Sequence, residues 1–513
     1  MNGAQAVIRT LVEGGVDVVF ANPGTSEMHF VAALDDVPEM RAVLTLFEGV
    51  ATGAADGYAR MTGRPAATLL HLGPGLGNGI ANLHNARRAR TPMVNVVGDH
   101  ALAHKRLDAP LESDIDALAG TVSGWVRRSL TTADVGADVA DAVAAAARRQ
   151  VATLVLPADV SWSDGASVAA VPAPRPTARV APQVVEDVTR VLGSSTVLFL
   201  GGDAVSEAGL RAAAQVAAGT GSRLLAETFP ARMQRGAGLP DVLKLPYPPD
   251  GARSSLDGVE HLVLVGAKEP VAFFGYPGMD GRLVPEGCTV HVLATPEEDG
   301  VNALQWLASE VAPDARPQLA EARRPELPTG PLDIKAFAEV IGALLPERAI
   351  VVDEALTSGY FLPGATVGAP AHDWLTLTGG AIGQGLPVAT GAAVADPSRP
   401  VISLQADGSA LYTIQALWTQ AREQLDVTTV ICDNGAYAIL AAELENVGAA
   451  SGGERAGKLL DLGGPSLDFV ALATGMGVPA TRATTADELA EQFRAALAEP
   501  GPHLIDAVLP RHG

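Results

Sequence analysis

Asp407 and Asn434 are the residues of this 513-residue chain whose types and spacing most directly suggest chemistry. Asp407 opens Asp407-Gly408-Ser409 just beyond the apolar run Val401–Leu404. Asn434 lies 27 positions further on, in Asp433-Asn434-Gly435 at the end of the run Val427–Cys432. A carboxylate and a side-chain amide are hard oxygen ligands, suited to a Mg²⁺ ion that keeps waters and phosphate oxygens in its shell. Glycine lets backbone N–H groups come close to a phosphate, and a helix start adds a favourable dipole. Asp-Gly and Asn-Gly are each common turn dipeptides; their placement at the ends of two successive strands is the specific signal. Glu48 is a second candidate. It follows Leu44-Thr-Leu-Phe47 and enters a stretch of small residues running to Arg60, where a carboxylate is expected to be desolvated. His71 is a third: it ends the apolar run from Ala66, and an imidazole there can donate or accept a proton near neutral pH.

Short apolar runs alternate with Ala-rich helical stretches along the chain, the pattern of a parallel α/β protein. In such sheets ligands bind at the carboxyl ends of strands, which is where Asp407 and Asn434 fall. The expected strands are 16–20, 66–71, 94–97, 151–156, 196–200, 261–265, 289–293, 349–352, 401–404, 427–432 and 503–508. Helices are expected over 28–34, 49–61, 135–149, 210–218, 334–345 and 410–423. Two Pro-rich connectors, 164–183 and 313–331, divide the chain into domains at 1–165, 184–312 and 332–513. The first and third blocks read as distant structural copies. Gly73-Pro-Gly-Leu-Gly-Asn-Gly79, with Asp99 after the next strand, invites a dinucleotide reading, but Asn78 and Ile80 break the required glycine spacing. Gly457-Lys458 is followed by Leu459, so no P-loop is present.

Composition narrows the classes. The chain is 48% hydrophobic and 18% charged, enough to bury several cores. Its formal net charge of −22 makes it a poor partner for nucleic acid or anionic lipid. Two cysteines make no disulfide framework, which fits a reducing cytoplasm. No apolar run approaches the roughly 18 residues of a membrane helix, and the polar-interrupted N-terminus does not read as a signal peptide.

Several segments together resemble the thiamine-diphosphate-dependent decarboxylases and carboligases, among them acetolactate synthase and benzoylformate decarboxylase. Their Gly-Asp-Gly … Asn-Asn metal motif is matched by Ala406-Asp407-Gly408 and Asp433-Asn434, with Ala406 and Asp433 departing from it. The run Ser409–Trp418 looks especially like benzoylformate decarboxylase. The resemblance implies three α/β domains with parallel sheets flanked by helices: pyrimidine-binding, central and diphosphate-binding. It implies thiamine diphosphate as cofactor and Mg²⁺ held by Asp407, Asn434 and the carbonyl of Ala436, with Gly408, Ser409 and Thr357 on the diphosphate. In Gly379-Gly-Ala-Ile-Gly-Gln-Gly-Leu-Pro387, which looks like the family's Gly-rich loop, Gly380 would contact the cofactor and Ile382 would wedge beneath its two rings. Glu48 matches the glutamate that hydrogen-bonds N1′ of the aminopyrimidine.

The same resemblance sketches a substrate pocket for a small 2-oxo acid. Thr25 or Ser26, in Asn22-Pro-Gly-Thr-Ser-Glu27, would offer a hydroxyl to the substrate carboxylate. His71 matches a catalytic histidine of benzoylformate decarboxylase, His100 adds to the pocket, and Phe273 and Phe274 stand where that enzyme has a second histidine. The stretch also lacks the paired arginines of acetolactate synthase. The implied activity is decarboxylation with or without carboligation, the alternative being a non-oxidative decarboxylase alone. A rival of another class is a catalytically silent paralogue that keeps the fold. The resemblance implies a homodimer or homotetramer with active sites between subunits; some relatives hold FAD in the central domain, for which no diagnostic motif appears here.

Overall fold

The computed structural model describes residues 1–174, 176–449 and 453–511. Its strands form three sheets. The first comprises β1 (Val18–Ala21), β2 (Arg41–Leu44), β3 (Ala66–Leu70), β4 (Met93–Asp99), β5 (Trp125–Arg128) and β6 (Val151–Pro157), in the order β2-β1-β3-β4-β6-β5. The second comprises β7 (Thr196–Leu200), β8 (Arg223–Ala226), β10 (His261–Val265) and β11 (Thr289–Ala294), in the order β11-β10-β7-β8, while β9 (Met233–Arg235) leaves it. The third comprises β12 (Ile350–Glu354), β13 (His372–Thr376), β14 (Val401–Ala406), β15 (Val427–Asp433), β16 (Ala480–Ala483) and β17 (His503–Val508), and β9 joins its edge.

Within each sheet the strands are parallel, as β-branched runs buried on both faces require. The exception is β9, which pairs antiparallel with β13, Met233 opposite Trp374. This strand is not legible in the sequence, because three residues carry no readable period. Arg235 is held there over the Trp374 ring at 5.4 Å. Counted within its own domain, the third sheet has the order 2-1-3-4-6-5 of the first, so the two end blocks are topological copies.

The copies pack on each other through the helices Glu48–Thr62 and Gly385–Ala395. Their backbones come so close that a Cβ on Gly391 would lie 1.8 Å from the Ala54 carbonyl oxygen, and one on Gly57 would lie 2.1 Å from that of Val388. A buried ion pair, Arg60–Asp56 at 2.5 Å, locks the same seam: Arg60 donates to the Thr376 carbonyl, and Gln384 donates to Asp56.

The helix expected over 410–423 is a correction. It forms as Asp407–Ala410 and Ala416–Glu423, with turns between. Tyr412, Thr413 and Ile414 are weak helix formers, and the Thr413 hydroxyl instead donates to the Gly383 carbonyl at 2.9 Å. The helix expected to reach Arg149 stops at Ala146, and Arg149 turns left-handed at φ 60°.

Candidate active site

The strand order 2-1-3-4-6-5 makes the loops after its first and third strands diverge, opening a crevice at the carboxyl edge of each end domain. In the third sheet those loops carry Glu354–Thr357 and Asp407. Ala406 pairs with Cys432 in parallel register, so Asp407 stands beside Asp433 and Asn434 on one edge. Two backbone amides fix the buried Asp407 carboxylate: Gly408 N–H donates to Oδ1 at 2.7 Å and Gly435 N–H to Oδ2 at 2.8 Å. Burial raises its pKa and these N–H groups oppose the rise. Asp433 is also raised, by burial and then by the charge of Asp407. Asn434 Oδ1 accepts from Ala436 N–H at 3.0 Å, folding its amide back over the loop. The Ser409 hydroxyl, 1% exposed, has no hydrogen-bond partner. Thr357 is exposed on the one-turn helix Leu356–Gly359.

The loop Gly379–Gln384 is pinned from both sides. Asn85 donates to Ala381 O at 2.7 Å and accepts from Ala381 N–H at 3.2 Å, while His84 Nε2 lies 3.1 Å from Gly379 O. From below, Glu354 receives Gly383 N–H at 2.7 Å and Gly385 N–H at 2.6 Å. Burial pushes the Glu354 carboxyl up to about 7 against these two bonds. Ile382 is left half-buried in the middle. Gly380, at φ 76°, takes the Phe273 ring directly: a Cβ would meet Phe273 Cζ at 2.4 Å. Phe273 and Phe274 are otherwise exposed.

The first sheet supplies the other half. Glu48 is buried at the start of its helix, and Asn78 donates to its Oε2 at 2.9 Å. One amide nitrogen, Asn82 Nδ2, donates to both Gly49 O (2.7 Å) and Gly383 O (3.3 Å), so the start of the Glu48 helix abuts the Gly-rich loop. His71 stands immediately before the helix Leu72–Ala89 and makes no side-chain cap to it. Its Nδ1 lies 2.8 Å from Glu27 Oε2 and 3.5 Å from Ser26 Oγ. Glu27 is 2% exposed and also receives Gly24 N–H at 2.7 Å. With Nδ1–H given to this carboxylate, Nε2 is the atom that can take or give a proton. Thr25 is exposed beside it. His100 is further along the edge, with its ring 5.4 Å from His104 and a buried, unpartnered Nε2. Asp99 binds Lys105 and Arg128, so it is committed to an ion-pair network.

Glu27, Asn78, Asn82, Asn85 and Glu354 are the residues sequence reasoning missed. Glu27 and Asn78 sit inside segments already singled out. What hid them is that each acts on a partner 30 or more positions away.

Comparison with known proteins agrees with this architecture. Residues 1–119 match the N-terminal TPP-binding domain of thiamine pyrophosphate enzymes, and residues 365–507 match the C-terminal one. Over 99% of both chains the protein is 65% identical to a Mycobacterium tuberculosis chain named for the acetolactate synthase large subunit, IlvX. It is 33% identical to benzoylformate decarboxylase of Pseudomonas aeruginosa over 96% of each. A solved structure of the thiamine-diphosphate-dependent 4-hydroxybenzoylformate decarboxylase of Rhodococcus jostii RHA1 superposes with a TM-score of 0.86 at 25% identity, covering 99% of both chains. The chain belongs to the thiamine pyrophosphate enzyme family, of the acetolactate synthase and benzoylformate decarboxylase type.

Proposed function

We propose that this enzyme uses thiamine diphosphate with Mg²⁺ to decarboxylate a 2-oxo acid, then releases an aldehyde or joins the remaining fragment to a second carbonyl. The observation that carries the reading is the Asp407 carboxylate, gripped by amides of two adjacent strand-end loops beside Asn434 and the orphaned Ser409 hydroxyl. One carboxylate, one amide and the Ala436 carbonyl make a hard oxygen set that phosphate oxygens would complete. When bound, the coenzyme supplies the electron sink for loss of CO₂.

The chain's own residues do the rest. Asp407, Asn434 and Ala436 would hold the ion, and Gly408, Ser409 and Thr357 the diphosphate. Gly380 and Ile382 would support the rings. Glu48, held by Asn78, would pass a proton at N1′. Thr25 and Ser26 would bind the substrate carboxylate, with His100, Phe273 and Phe274 lining the pocket. His71, oriented by Glu27, would move a proton at Nε2. This pair favours decarboxylation with aldehyde release as the second reading. In the middle domain, Gly201 and Gly266 follow β7 and β10 at the strand-order switch, where a Cβ on Gly266 would lie 2.6 Å from the Gly201 carbonyl oxygen. No step is assigned to a flavin. Among the described residues no helix is long and apolar enough to cross a membrane, in keeping with a cytoplasmic enzyme. The Glu48 carboxylate is held by its own domain, so a second copy of the chain would bring its diphosphate edge to it. We take the domains as 1–165, 184–312 and 332–513.

Calorimetry of thiamine diphosphate binding with and without Mg²⁺ tests the core of this reading: uptake should need the ion and vanish in Asp407→Ala. Product analysis over pyruvate, 2-oxobutyrate, benzoylformate and branched-chain 2-oxo acids then separates release from carboligation. Proton exchange at cofactor C2 no faster than in Glu48→Ala would favour the silent paralogue.

A further inference from the structure

His261 and His291 are two imidazoles that the proposed chemistry leaves unused. They stand on β10 and on β11, the strand at the edge of the middle sheet. In the parallel register His261 pairs with Thr289 and Val263 with His291, which places both histidines on one face of the sheet, diagonally across the two strands. Their ring centroids are 5.2 Å apart, and His261 Nδ1 comes within 3.2 Å of His291 Nε2. Two ring nitrogens can face each other only across something positive, either a shared proton or a metal ion in its place. A zinc ion bound tetrahedrally about 2.0–2.1 Å from each of two imidazole nitrogens sets them about 3.3–3.4 Å apart, close to the separation seen. Both rings are half-buried, which restrains them and leaves water access to the pair. The helix Pro182–Thr189 packs against β11 and carries Asp187, whose charge acts on the His291 ring. Asp187 Oδ1 accepts from Gln183 and Arg190, while its Oδ2 accepts no hydrogen bond among the described residues.

We propose that His261 Nδ1 and His291 Nε2 form a two-imidazole site for a divalent transition-metal ion such as Zn²⁺, with waters completing its shell. Imidazole pairs suit Zn²⁺, Ni²⁺ and Cu²⁺, whereas Mg²⁺ takes oxygen ligands and is not held here. On binding, the ring that donates shifts its proton to its outer nitrogen, so both imidazoles ligate as neutral groups. The ion then ties the edge strand β11 to β10. This site lies in a different sheet from Asp407, and the inference does not rest on the 2-oxo acid reading.

The test is calorimetry of Zn²⁺ binding to the untagged full chain in saturating thiamine diphosphate and Mg²⁺, which fill any oxygen site. It compares the native protein with His261→Gln, His291→Gln and His104→Gln, the last breaking the other close histidine pair. The native protein should take up one Zn²⁺ at this pair, and either strand substitution should weaken that binding by about tenfold or more. His104→Gln should leave it unchanged. Cu²⁺ placed at the site should show two nitrogen ligands by electron paramagnetic resonance, and one in each strand variant. Zn²⁺ should raise the melting temperature of the native protein and of neither strand variant; equal melting in chelator shows that the variants are folded. Absence of Zn²⁺ uptake, uptake indifferent to either strand substitution, or loss of binding in His104→Gln overturns the proposal. Should a strand variant fail to fold, fewer than two nitrogen ligands in native and His104→Gln proteins overturns it as well.

Discussion

At the scale of single residues, the site depends on carboxylates held by neutral donors. Glu48 accepts a hydrogen bond from the Asn78 amide and, among the described residues, enters no ion pair. Glu48→Gln should lower kcat by about 10²-fold or more, with coenzyme affinity changed far less, as steady-state kinetics and calorimetry on one preparation would reveal. Glu27 works differently: its Oε2 lies 2.8 Å from His71 Nδ1, and in the proposed reading it would set which ring nitrogen carries the proton. Glu27→Gln should cost about tenfold in kcat. In a His71→Ala background the same change should cost almost nothing, because residues acting as a unit are non-additive. Equal losses in both backgrounds would show that Glu27 acts independently of the imidazole.

At the scale of elements, the decisive feature is how two helices bring the end domains together. The Gly391 approach to the Ala54 carbonyl leaves no room for any side chain. Gly391→Val must push the helices apart, and overpacking of this kind costs about 1–3 kcal/mol. The melting temperature should fall and coenzyme binding should weaken with it, since Asn82 spans the same seam to the Gly-rich loop. Unaltered binding in a destabilised Gly391→Val protein would mean the seam does not position the loop. The break at Tyr412–Gln415 is the second element-level decision, since it presents Thr413 to Gly383 where a continuous helix would not.

At the scale of the whole molecule, stability should depend on pH through Glu354. Its native pKa is about 7, set by burial, against an ordinary value of 4.5. Between those values the native state keeps a proton that the unfolded chain has lost. Stability therefore falls as pH rises through that window, and levels off above about 7. The drop attributable to this group is about 3 kcal/mol, and Glu354→Gln should remove it, as urea unfolding at pH 5 and pH 8 would measure. Assembly gives a separate test. If a second copy completes each site, mixing the impaired Glu48→Gln chain with the Asp407→Ala chain should raise activity above that of either alone, because one site of each hybrid is native. No recovery after verified subunit exchange would locate the whole site in one chain.

The chain's linear pattern determined the class of architecture and pointed to the candidate chemistry-bearing residues, for physical reasons tied to local order. Buried parallel strands must be apolar runs, and ligand loops must sit at their ends, so Asp407, Asn434, Glu48 and His71 were legible beside Val401–Leu404, Val427–Cys432, Leu44–Phe47 and Ala66–Leu70. Only the tertiary structure decided who holds whom. Glu354 beneath the Gly-rich loop, Glu27 on His71, Asn82 bridging two domains and β9 crossing to the third sheet are long-range pairings. Their energies come from burial and directional hydrogen bonds between segments brought together by folding, and no periodicity in the sequence records them.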